Sequence, residues 1–63
     1  LGSVAPEVVL LQQRLREEGF DPGRCDGRYG SATDARVRDI ATVYGLSTGK
    51  NMVRDVLRLL GLL

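Results

Sequence analysis

Two aspartates, Asp21 and Asp26, and the only cysteine, Cys25, stand in one short stretch, and by residue type they are the side chains best suited to chemistry. General acid–base work needs two titratable groups whose environments separate their pKa values, and a nucleophile needs a base beside it. The chain has no histidine to serve as that base. Each aspartate also opens a turn, Asp21 before Pro22-Gly23 and Asp26 before Gly27, where a short carboxylate bonds nearby amides. A lone cysteine cannot close an internal disulfide, and without histidine it is a poor start for a zinc site, so Cys25 is expected to be a buried structural thiol. Gly27 and Gly30 do not lead into a Gly-Lys-Ser or Gly-Lys-Thr sequence, so no phosphate-binding loop is present. The inventory predicts a binding module with no catalytic residue, no metal and no cofactor.

These residues lie in a loop, Asp21 to Thr33, between two amphipathic runs. Pro22-Gly23 reads as the centre of one tight turn and Asp26-Gly27 as a second, with Gly30 allowing a further unusual dihedral before a helix. Ser31 is the expected N-cap of that helix, with Asp34 completing a capping box, and Tyr29 can fold its ring back over a small core. Val8, Leu11 and Leu15 recur at helical spacing behind Pro6, which is tolerated in a first turn. They predict a first helix over about 6–18, with Leu10 on its outer face. Val37, Ile40, Ala41 and Tyr44 define the inner face of a second helix over 32–44. Val53, Val56, Leu57 and Leu60 define a third over 51–60, with Met52 and Leu59 widening its apolar arc. Each helix ends in glycine plus an apolar residue: Gly19-Phe20, Gly45-Leu46 and Gly61-Leu62. The expected fold is all-α, a compact three-helix bundle, with at most a short bridge near Arg24-Cys25 or Arg28-Tyr29.

Sixty-three residues form one domain at most, and a chain of this size buries only about 60% of the surface its unfolded form exposes. Nine basic and eight acidic residues leave a net charge of +1, too little for a broad field that steers onto nucleic acid or an anionic membrane. No apolar run reaches the roughly 18 residues a membrane-spanning helix needs. Leu1-Gly2-Ser3 reads as an expression-tag remnant, which leaves 4–63 as a single domain.

Several blocks resemble the peptidoglycan-binding-like three-helix domain appended to bacterial cell-wall hydrolases. Leu11-Gln12-x-x-Leu15 and Gly19-Phe20 match its first block. Asp26-Gly27-Arg28-Tyr29-Gly30 with Thr33 match the second, and Val37 with Gly45-Leu46 the third. Order and spacing hold over roughly the first three quarters of the chain. The last quarter departs: Ile40-Ala41 stands where the family has Phe-Gln, and the second Gly-x-x-Gly-x-x-Thr turn is reduced to Gly49 and Lys50-Asn51-Met52. The metalloproteinase propeptide shares the fold and uses a cysteine as zinc ligand, but after its last helix, so that role does not pass to Cys25.

The resemblance implies non-catalytic attachment to peptidoglycan in the cell envelope, the periplasm or outside the cell, holding other domains of the parent chain near the polymer. Such a site combines an aromatic face, cations and turn backbone groups. Arg24, Asp26, Arg28 and Tyr29 on the loop, with Lys50 and Asn51 before the third helix, are the candidate ligand-binding residues. The alternative for the same residues is that Tyr29 belongs to the core and the arginines are merely solvated. Two other functions fit the residues. The apolar excess at Leu10, Met52, Leu59, Leu62 and Leu63 suits a protein-interaction or regulatory domain. Ile40-Ala41-x-x-Tyr44-Gly45-Leu46 resembles the start of a helix-turn-helix, with Lys50, Arg54 and Arg58 available to phosphates, although the small net charge does not favour nucleic acid.

Overall fold

The computed structural model describes residues 3–63. The order of elements is β1 (Ser3–Val4), α1 (Pro6–Glu17), β2 (Arg28–Tyr29), α2 (Ser31–Val43) and α3 (Met52–Leu59). This is an all-α three-helix bundle, and its only described strands are two-residue pieces. β1 and β2 pair antiparallel, Ser3 opposite Tyr29 and Val4 opposite Arg28, and the Ala5 amide extends the pairing to the Gly27 carbonyl at 3.0 Å. Of the three residues set aside as a tag remnant, Leu1 and Gly2 lie outside the described residues, while the Ser3 backbone takes part in this pairing.

The three helices stop in the same way. Gly19, Gly45 and Gly61 have φ of 89°, 72° and 75°, and in each case the amide after the glycine reaches back five residues. Phe20 donates to the Leu15 carbonyl at 2.7 Å, Leu46 to Ala41 at 2.7 Å and Leu62 to Leu57 at 2.9 Å. Each glycine amide bonds the carbonyl three residues back inside that loop, at 3.1, 3.2 and 3.2 Å, which is the Schellman arrangement. The turn swings the following apolar residue back, so Phe20, Leu46 and Leu62 all pack against the core. That core consists of Leu11, Leu15, Val37, Ile40, Ala41, Met52, Val56 and Leu60, each at most 4% exposed.

Several expectations need correction. Tyr44 is 51% exposed rather than inward, because it is already the C-cap of α2 and the Schellman turn delivers Leu46 to the core instead. Met52 is core, whereas Val53 and Leu57 are only partly buried. The apolar arc of α3 admits either centre, and packing against α2 selects the Met52-Val56-Leu60 line. Cys25 is partly covered, not buried.

The start of α2 also differs. Gly30 is its N-cap with φ −103° and ψ −168°, ordinary extended backbone, and a Cβ there would meet nothing within 4 Å. The Asp34 amide closes the first turn on the Gly30 carbonyl at 2.9 Å. Ser31 is therefore the first helical residue, exposed and making no capping bond. The acid that a capping box would use is committed elsewhere: Asp34 accepts from the Tyr29 hydroxyl and from Arg38 Nε, both at 2.9 Å. Ser31→Ala is accordingly expected to change stability by less than about 0.5 kcal/mol, as an ordinary surface substitution does. A thermal melt shifted by more than a few degrees would show that the hydroxyl caps the helix after all.

Candidate binding site

The loop between α1 and α2 is held from below by one side chain. Gln12 lies on the inner face of α1, 1% exposed, between the core leucines Leu11 and Leu15. Its carbonyl oxygen accepts the buried Gly27 amide at 2.9 Å, which fixes which end of the side-chain amide is oxygen. Its nitrogen then has two hydrogens to share among three acceptors: the Arg28 carbonyl at 3.0 Å, Thr33 Oγ1 at 3.0 Å and Asp26 Oδ1 at 3.2 Å. Thr33 is 2% exposed and closes the ring with a longer bond, 3.5 Å, to the Arg28 carbonyl. A polar residue survives on the apolar stripe because each buried group around it has a partner.

Local bonds complete the loop. Asp26 Oδ1 accepts the Arg28 amide at 2.9 Å and Asp21 Oδ1 the Gly23 amide at 2.8 Å, so both aspartates shape turns as expected. Arg16 ties the first turn to α1: its Nη2 donates to the Gly23 carbonyl at 2.6 Å and its Nε lies 3.5 Å from Asp21. Arg16 escapes sequence reading because an exposed arginine at a helix end looks like any solvated cation. Gly27 has φ +80° and sits in a tight place, where a Cβ would stand 3.0 Å from Val9 Cγ2 and 3.1 Å from the Ala5 carbonyl oxygen.

Electrostatically the loop carries fixed charges. The Arg28 amide, then the Gln12 side chain and more weakly the charge of Arg24, hold the Asp26 carboxyl below its usual range. The Gly23 amide does the same for Asp21. Arg38 and then the Tyr29 hydroxyl lower Asp34. Burial, with the bond to Asp34 second, raises the Tyr29 phenol, so it stays neutral.

Above this lock lies an open groove of about 300 Å³. It is lined by the buried Gln12 and Thr33, by Pro22, Arg24, Asp26 and Arg28 of the loop, and by the start of α2. The groove unites Arg24, Asp26 and Arg28 from the expected ligand set and leaves out the other three. Tyr29 packs partly buried against the core with its hydroxyl on Asp34. Lys50 and Asn51 are exposed on the connection into α3 and do not line the groove. The remaining motif residues, Leu11, Gln12, Leu15, Gly19, Gly27, Thr33, Gly45 and Leu46, all serve in packing, capping or the loop lock. Arg24 and Arg28 have no carboxylate within 4 Å among the described residues, as is also true of Lys50, Arg54 and Arg58, whereas Arg14, Arg16, Arg36 and Arg38 each have one; what sets Arg24 and Arg28 apart is that they line the groove.

Three glycine-stopped helices, with a glutamine-locked loop carrying a charged groove, define a small module of the peptidoglycan-binding-like class. The family model described as "Putative peptidoglycan binding domain" matches residues 4–50, and the chain belongs to that family. The match covers the loop lock and α2 and stops before α3. No curated protein and no solved structure matches the chain.

Proposed function

We propose that this domain is a non-catalytic module that binds peptidoglycan and thereby holds the rest of its parent chain at the bacterial cell wall. The observation that carries this reading, given the family, is the groove in which Arg24 and Arg28 stand without a carboxylate partner beside the ionised Asp26. Guanidinium groups left unpaired around a rigid concavity suit ligand carboxylates, which they bind with paired charge-assisted hydrogen bonds. The rigidity comes from Gln12, and it lowers the entropy lost on binding. Asp26 and Tyr29 are held in single charge states at neutral pH, which suits recognition better than proton transfer.

Cosedimentation with purified sacculi tests the proposal. The wild-type domain is expected in the pellet, and the Arg24→Ala/Arg28→Ala double variant should bind roughly tenfold or more weakly, since each charge-assisted bond contributes about 1.5–3 kcal/mol. A wild-type domain that stays in the supernatant, or a double variant that pellets as well as the parent, would remove the reading.

One observation favours the protein-interaction alternative. A second groove of about 270 Å³ is lined by Leu46, Leu59, Asp55 and Arg58, and Leu59 is 40% exposed there. Leu10 and Leu63 are also exposed, whereas Met52 is core and Leu62 half-buried under its helix end. If α3 is a contact surface, light scattering should show self-association rising with concentration, abolished in Leu59→Glu. A monomer at high concentration in both chains would end the dimer version.

A further inference from the structure

We propose that the loop groove recognises the free zwitterionic end of a peptide stem, an ammonium group beside a carboxylate, and not the glycan strand. This rests on the wall-binding reading and sharpens it. A sugar ring is held by an aromatic face against its C–H groups and by neutral donors and acceptors around its hydroxyls. The groove has no aromatic wall. Tyr29, the one aromatic of the loop, has its ring packed on the core and its hydroxyl committed to Asp34.

What the groove offers is charge of both signs in one small space. Arg24 and Arg28 are exposed, line it and lack carboxylate partners. Between them in sequence stands Asp26, whose two oxygens differ in use. Oδ1 takes the bonds from the Arg28 amide and from Gln12, while Oδ2 receives no bond from any described residue. The carboxylate is therefore clamped by one oxygen, which leaves the other free to accept from a cation. An acid between two guanidiniums matches a group with one ammonium and one or two carboxylates, the chemistry of a diamino acid at the end of an uncrosslinked stem. The groove, at about 300 Å³, is at the small end for ligand sites and has room for the tip of one stem. Crosslinking turns the stem ammonium into an amide and removes its charge, so the domain marks uncrosslinked wall.

Three probes titrated into the wild-type domain, read by amide chemical shifts, test the proposal. They are a synthetic stem peptide ending in a diamino acid with free amine and carboxylate, the same peptide acetylated on that amine, and peptide-free glycan strands. The free stem should shift amides within residues 24–33, the acetylated stem should bind about tenfold or more weakly, and the glycan should shift nothing. Asp26→Asn keeps the Oδ1 acceptor and should erase the preference for the free over the acetylated stem. Should that variant fail to fold, the comparison of the two peptides on the wild-type domain still decides. Equal binding of both peptides overturns the proposal. So does binding of glycan without stem, and in that case wild-type pelleting with sacculi would leave wall attachment standing. Loss of sacculus binding altogether would sink both.

Discussion

Gln12→Ala is expected to lower the melting temperature by about 15 °C or more and to leave much of the chain unfolded at physiological temperature. A 63-residue domain has roughly 3–9 kcal/mol of stability in all. Removing the amide strands the buried Gly27 N–H and takes a donor from both the buried Thr33 hydroxyl, which keeps only its long bond to the Arg28 carbonyl, and that carbonyl itself. A buried group left without a partner costs about 1–3 kcal/mol, and the lost side-chain volume adds a cavity at the buried Gln12 position. A total near 3–4 kcal/mol follows, and each kcal/mol shifts the midpoint of a domain this size by about 4–8 °C. Gln12→Met separates the two contributions, because it keeps the volume and loses every bond. If bonding dominates, Met and Ala should destabilise nearly alike in urea titrations. A methionine variant as stable as the parent would mean that the polar lock contributes little and that packing alone holds the loop.

Gly27→Val is the second large effect, with an expected loss of about 3 kcal/mol or more. Two independent causes combine. A β-branched residue at φ +80° is strained by about 1–3 kcal/mol, and overpacking adds a similar amount. The flexible Val9 side chain can move away from the new Cβ, but the Ala5 carbonyl 3.1 Å away is backbone and also accepts the Val8 amide that starts α1. Relief therefore has to come from opening the Ala5–Gly27 bond and the strand pair behind it. Hydrogen exchange at Ala5 and Gly27 should accelerate along with the fall in melting temperature. Gly30→Ala is the control, since its φ is negative and its Cβ position is open. Equal melts for the Gly27 and Gly30 variants would contradict the left-handed turn on which the groove depends, because Arg24 and Arg28 flank that turn.

Both variants bear on function through the same residues. The arginines of the groove touch little, and they stand on a loop that touches a great deal. Arg24 and Arg28 can thus be exchanged at small cost to the fold, while Gln12, Gly27 and Thr33 cannot. Loss of sacculus binding in an arginine variant reports on recognition, and the same loss in a Gln12 variant reports on folding.

The three helices, their endings and the family were legible in the chain because they arise from interactions only a few residues long. An apolar residue every third or fourth position makes an inner stripe, and a glycine followed by a leucine or phenylalanine closes a helix through bonds five residues back, whatever surrounds it. Asp21 and Asp26 as turn formers belong to the same local class. Where the apolar pattern had two solutions, as with Met52 and Val53, or where a residue had two uses, as with Asp34 and Tyr29, the chain left the choice open. Only the packing of α1, α2 and α3 decided it. Gln12 makes the contrast plain: in sequence it is one member of a motif, and its partners lie 14, 15, 16 and 21 residues away. Its role exists only once α1 and α2 are set side by side. The same holds for the site, since whether Lys50 and Asn51 share a groove with Arg24 and Arg28 depends on where the tertiary arrangement puts two separate turns, and it puts them apart.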